Sequence, residues 1–139
     1  MEISLEVERR GARLHTLLID PYAGSREGLR ASLDAEGCLV KATGNAPHAM
    51  VLMRAGGFDL AVIDLGLPPA RGIARSAWEL ARLFRVFNPG ALLVLLAAEL
   101  QRDLEADAAC VCPALVLEKP IDPARLRAVV RQLRTASRR

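Results

Sequence analysis

A chain of 139 residues with 52% hydrophobic and 25% charged side chains has room for one domain with a full core; it excludes two domains and a disordered polymer alike. Its longest apolar stretch, Ala91 to Ala98, is far shorter than the ~20 residues of a bilayer span, and no charged-then-apolar leader opens it, so a cytoplasmic protein is expected. Net charge is +3, almost all of the excess being arginine, with Arg125, Arg127, Arg131, Arg134, Arg138 and Arg139 gathered at the C-terminus. Such a stripe can attract nucleic acid, but a solvated helix face and tail is the plainer reading.

The elements follow in chain order. Ile3, Leu5 and Val7 alternate with polar residues in strand fashion, and Arg9-Arg10-Gly11 can turn the chain. Residues 1–13 are read as an N-terminal extension, the alternative being an edge strand or an arm laid on a neighbouring subunit. Leu14 to Asp20 then reads as a buried strand. A helix follows over Arg26 to Glu36, with Ser25 as its cap and Gly37 as its stop. Cys38 to Ala42 is a short strand, Pro47 to Ala55 a helix closed by Gly56-Gly57, and Leu60 to Ile63 another buried strand that ends on Asp64. Ile73 to Phe87 has the clearest helical periodicity, with Ile73, Ala77, Leu80, Ala81 and Phe84 on one face and Asn88-Pro89-Gly90 at its end.

Ala91 to Leu96 is a continuous apolar strand, and Glu99 to Ala108 a weaker helix. Cys110 and Cys112 form a Cys-x-Cys pair, but a zinc site needs about four ligands, and only the remote His15 and His48 could add to them. The three cysteines, with Cys38, read as reduced thiols. Leu115 to Leu117 is the fifth strand, closing on Glu118-Lys119-Pro120. Asp122-Pro123 opens a last helix with Leu126, Val129, Val130 and Leu133 inward. Near-continuous apolar strands alternating with helices predict an α/β fold, a doubly wound five-stranded parallel sheet. Ligands in such folds sit at the carboxyl ends of the strands, where Asp20, Asp64 and Lys119 all fall.

Asp64-Leu-Gly-Leu-Pro-Pro-Ala-Arg-Gly72, Glu118-Lys119-Pro120 and Ile19-Asp20-Pro21 through Arg26-Glu27-Gly28-Leu29 together resemble the receiver domain of bacterial two-component response regulators. The resemblance covers about Leu14 to Leu133 and implies a flavodoxin-like (βα)5 fold, the domain being read as residues 14–135 with 136–139 as a basic tail. It implies that Asp64 is the phosphoacceptor, supplied by a histidine kinase or phosphotransfer protein, and that Lys119 contacts the phosphoryl group. Asp20, Asp64 and the carbonyl of Gly66 would hold Mg2+. A receiver of this kind is a signalling module and not an enzyme. Its output would be a downstream protein partner or a homodimer, through the face of the fourth predicted helix, the fifth strand and the last helix.

Three positions depart from the family pattern. Pro21 stands where a second acid is usual, which removes a metal ligand and weakens the Mg2+ site by about tenfold or more; Mg2+ can still be held by one or two carboxylates and water. Ala97 stands where a serine or threonine hydroxyl would bind the phosphoryl group, and a lost hydrogen bond to a charged group costs about 1.5–3 kcal/mol. Val116 replaces the aromatic side chain that rotates inward on activation, and valine is stiff and has no ring. Arg71, at a commonly acidic position, either points into solvent or supplies charge at the site. Two readings therefore stand: a receiver with an impaired phosphorylation site, or a phosphorylation-independent pseudo-receiver that binds other proteins. Direct nucleic-acid binding ranks below both. A nucleotide or flavin enzyme does too, because only Ala23-Gly24-Ser25 follows the first strand where a Gly-x-Gly-x-x-Gly would be needed.

Overall fold

Five strands, β1 (His15–Ile19), β2 (Leu39–Thr43), β3 (Leu60–Asp64), β4 (Leu92–Ala97) and β5 (Leu115–Glu118), pair in the order β2-β1-β3-β4-β5, every pair parallel. The computed structural model describes residues 13–99 and 111–137. Four helices accompany the strands among the described residues: α1 (Ala23–Ala35), α2 (Ala46–Ala55), α3 (Ala77–Phe87) and α4 (Pro123–Ser137). The expected extension, save Arg13, and the expected helix over Glu99 to Ala108, save its first residue, lie outside the described residues, as does Cys110.

Alternation along the strands divides the core into two layers. Leu17, Ile19, Ala61, Ile63, Leu93 and Leu95 face one side, where Ala49 and Met53 of α2 and Leu80 and Phe84 of α3 cover them. Leu18, Leu60, Val62, Val94, Leu96 and Leu117 face the other, beneath Leu29 and Leu33 of α1 and Leu126 and Val130 of α4. Strands β1, β3 and β4 are thus buried on both faces over most of their length, which is why Leu17-Leu18-Ile19, residues 60–63 and residues 92–97 read as unbroken apolar runs.

Register places the functional side chains. Ile19 pairs with both Thr43 and Ile63, Asp64 with Leu96, and Ala97 with Glu118. Asp20, Asp64, Ala97 and Lys119 therefore emerge along one sheet edge, at the strand ends.

Two helices begin elsewhere than their sequences suggest. α1 starts at Ala23, with Tyr22 as an N-cap whose side chain makes no capping bond. The Tyr22 carbonyl takes the Arg26 N–H at 2.8 Å, which puts Ser25 inside the first turn. α3 starts at Ala77 and not at Ile73, because reciprocal bonds between Ala70 and Ala74 close a turn around Gly72, whose φ is +79°. The Ser76 hydroxyl then accepts the Glu79 N–H at 3.3 Å, which caps the helix. The last helix matches its expected start, since Asp122 Oδ1 accepts the Ala124 N–H at 2.9 Å. It runs to Ser137, two residues beyond the point where the sequence suggested a tail.

The arginines of α4 are largely committed to α1. Glu36, just past the end of α1, has a side chain only 8% exposed and takes Arg131 Nε at 2.6 Å and Arg127 Nε at 3.2 Å. Its carbonyl takes Arg134 Nη2 at 2.5 Å. Arg131 chiefly, against the opposing effect of burial and with help from Arg127, holds the Glu36 carboxyl below the usual carboxylate range.

Candidate functional site

Asp20 follows β1 directly and is fully buried, with its N–H on the Thr43 carbonyl at 3.0 Å. Its Oδ1 accepts the Tyr22 N–H at 2.9 Å, and its Oδ2 accepts from the Ser25 hydroxyl at 2.6 Å and from Lys119 Nζ at 2.8 Å. Arg26 Nη1 donates to its carbonyl at 2.8 Å, so the first turn of α1 is tied to the end of β1 from two directions.

Asp64, the last residue of β3, is also buried. Its Oδ1 accepts the Gly66 N–H at 2.7 Å, and its Oδ2 lies 2.5 Å from Lys119 Nζ. That contact is an ion pair rather than an aligned hydrogen bond, and Oδ2 makes no other. The chain beyond must stay thin: a Cβ at position 66 would stand 3.0 Å from Asp64 Oδ1 and 3.5 Å from the Tyr22 hydroxyl.

Lys119 reaches both acids from the end of β5. Its N–H donates to the Ala97 carbonyl at 2.8 Å, and a cis peptide joins it to Pro120. Its ammonium contacts Asp20 Oδ2, Asp64 Oδ2 and the Ser25 hydroxyl, the last at 2.7 Å, and lies 5.2 Å from the centre of the Tyr22 ring. Burial works to lower the lysine pKa, but the hydrogen bond to Asp20, the close contact with Asp64 and the charge of both acids outweigh it, so the pKa is raised. Two carboxylates and one ammonium leave the pocket with a net charge of about −1.

The structure thus brings Asp20, Asp64 and Lys119, which lie far apart in sequence, onto one ammonium nitrogen. Gly66 flanks them. Pro21, half-buried, adds no polar side chain. Ala97 is fully buried and presents only a methyl group, and Val116 is half-buried against the α2–α3 layer of the core. Arg71 is exposed on the loop and is not among the groups on either acid. Sequence reasoning missed Ser25, Tyr22 and Arg26. The available signal was spacing: each lies within six residues of Asp20, at the mouth of a helix that must begin where β1 ends.

Among the described residues no three His, Cys, Asp or Glu side chains come together, so a metal here would rest on two carboxylates, backbone and water. The buried Asp64 Oδ2, with no aligned hydrogen bond, leaves a hard donor beside the second carboxylate. Mg2+, which keeps several waters, fits such a donor set. Lys119 holds the place between the acids that a cation would share.

Solved structures with this architecture are numerous. A CheY-like response regulator receiver domain from Methylobacillus flagellatus superposes with a TM-score of 0.74 at 24% identity, covering 86% of this chain and 98% of that one. The chain has the receiver-domain fold. A second such domain, from Methanospirillum hungatei JF-1, gives a TM-score of 0.75 at 19% identity over 91% of this chain and 95% of its own. A response regulator from Burkholderia pseudomallei, solved with a phosphorylated aspartic acid, calcium ion and citrate, gives 0.70 at 20% identity, covering 89% of this chain and 68% of that protein. No protein-family model matches the sequence, and no curated protein matches it. No helix among the described residues is long and apolar enough to cross a membrane.

Proposed function

We propose that this receiver fold serves two-component signal transduction, with Asp64 accepting a phosphoryl group from a histidine kinase or phosphotransfer protein. The observation that carries the reading is the Lys119 ammonium 2.5 Å from Asp64 Oδ2, at a buried strand end beside the exposed Gly66. Asp64 Oδ2 would attack the phosphorus of a phosphohistidine in line; the O–P bond forms as the P–N bond breaks, and the imidazole nitrogen takes a proton from solvent. Lys119 would shift from the carboxylate to the equatorial oxygens as negative charge gathers there. Asp20, Asp64 and the Gly66 carbonyl would hold Mg2+, which when bound supplies positive charge to the same oxygens.

The module itself is not an enzyme on this reading; it works in the cytoplasm and passes its state to a protein partner or a second copy. Part of the expected output face, the fourth predicted helix, lies outside the described residues. The binding of Arg127, Arg131 and Arg134 by Glu36 speaks against a nucleic-acid face on α4. A second reading, the phosphorylation-independent pseudo-receiver, draws support from Pro21, from the bare methyl of Ala97, and from the hold of Lys119 on both acids. Intact mass after incubation with a small phosphodonor and Mg2+ separates the two. A one-phosphoryl gain that vanishes in Asp64→Asn supports the first reading. No gain at any Mg2+ concentration leaves only the second.

A further inference from the structure

The expected role of Ser25 as a helix cap is not the role its hydroxyl plays. Its Oγ donates to Asp20 Oδ2 at 2.6 Å and accepts from Lys119 Nζ at 2.7 Å. Together with the hydrogen bond to Asp20 Oδ2 at 2.8 Å and the ion pair with Asp64 Oδ2 at 2.5 Å, this gives the ammonium three close oxygen partners. The other carboxylate oxygens are held by the Tyr22 and Gly66 N–H groups. Lysine, both acids and hydroxyl form one closed cluster.

We infer that Ser25 is a positioning residue that latches Lys119 across the two acids, so that the lysine competes with a divalent cation for the pocket. The inference rests on the reading of Asp20 and Asp64 as the acids that would hold Mg2+. An Mg2+ ion needs its oxygens at about 2.0–2.1 Å, and so close to Asp20 and Asp64 it would meet the positive charge of an ammonium already lying against Oδ2 of both acids. Whatever holds the lysine in place is therefore subtracted from cation affinity.

The lysine has somewhere to withdraw. A cavity of about 530 Å³ between α1 and the start of α4 is lined by Ser25, Gly28, Leu29, Lys119, Pro120 and Ile121 among others. A Cβ at Gly24 or at Gly28 would meet nothing within 4 Å, so the α1 wall of that cavity is open. Ser25 and Lys119 both line the cavity, and the Ser25 hydroxyl, carried on α1, ties the ammonium to the Asp20 carboxylate.

The test is an Mg2+ titration of the wild-type chain, Ser25→Ala and Ser25→Thr, followed by the amide resonances of Tyr22 and Gly66. One hydrogen bond to a charged group at a half-buried position corresponds to roughly a tenfold change in an equilibrium constant. Ser25→Ala is expected to bind Mg2+ about tenfold more tightly, and Ser25→Thr, which keeps the hydroxyl, to return to the wild-type value. Equal affinities in all three proteins would overturn the latch, as would weaker binding in Ser25→Ala or no Mg2+ binding in any of them. Phosphoryl labelling is read separately. If the affinities move as expected and no protein gains a phosphoryl group, the latch stands and the phosphoacceptor reading falls.

Discussion

Replacing Lys119 with methionine keeps the length of the side chain and removes the charge that two buried acids share. Asp20 and Asp64 are 0% and 2% exposed, so neither can recover its hydration when the ammonium goes. Their Oδ2 atoms now touch the same nitrogen at 2.8 and 2.5 Å, and at an effective dielectric of about 20 their mutual repulsion would reach about 3 kcal/mol. Removing one partner from a buried ion pair costs about 3–5 kcal/mol in general, and Lys119→Met should fall in that range at pH 7. Urea unfolding followed by Trp78, the single tryptophan and a buried one, measures it. Millimolar Mg2+ should restore more stability to the variant than to the wild type, since the cation re-neutralises the acids. A loss below about 1 kcal/mol, indifferent to Mg2+, would refute the view that the lysine neutralises the acids.

Other expectations follow from the same structure. The raised pKa of Lys119 makes its contribution complete below the unfolded value of about 10.4 and lost as pH climbs through the higher folded value; alkaline unfolding curves should show this in the wild type and not in Lys119→Met. Glu36 has the opposite sign: its lowered pKa stabilises the chain above about pH 4.5 and ceases to do so as pH falls through the folded value. Glu36→Gln should therefore lose the acid-dependent part of the unfolding curve in that window. Asn88 joins three segments, with its amide nitrogen on the Met53 carbonyl at 3.1 Å and its Oδ1 on the Phe58 N–H at 3.1 Å. Asn88→Ala strands buried backbone groups and should cost about 2–3 kcal/mol by urea denaturation.

Much of this was legible in the sequence, and for one reason. Strands buried on both faces must be apolar throughout, so a charged residue in such a run marks its end. That logic found Asp20 and Asp64, Lys119 was marked by the proline that follows it at the end of a shorter, half-buried strand, and parallel pairing then carries strand ends to one edge. It fails where a residue has two uses. Ser25 before an apolar helical pattern looks like a cap, and only the bond from the Arg26 N–H to the Tyr22 carbonyl moves it inside the helix and towards Lys119. The start of α3 was misplaced because Ile73 and Ala77 share a helical period, although Ser76-Ala-Trp-Glu79 carries the capping signature that fixes the true beginning. The α4 arginines have the composition of a solvated stripe; that Glu36 binds three of them depends on a contact between the two ends of the chain.

The claim on which the account turns is that Asp64, paired with Lys119, offers an oxygen that takes a phosphoryl group. Beryllium trifluoride mimics that group without a kinase or turnover, and its bound fluorines are visible by 19F NMR. With Mg2+ present, bound resonances should appear for the wild type and be absent for Asp64→Asn. A wild-type spectrum showing only free fluoride species, at every Mg2+ concentration, would contradict the account.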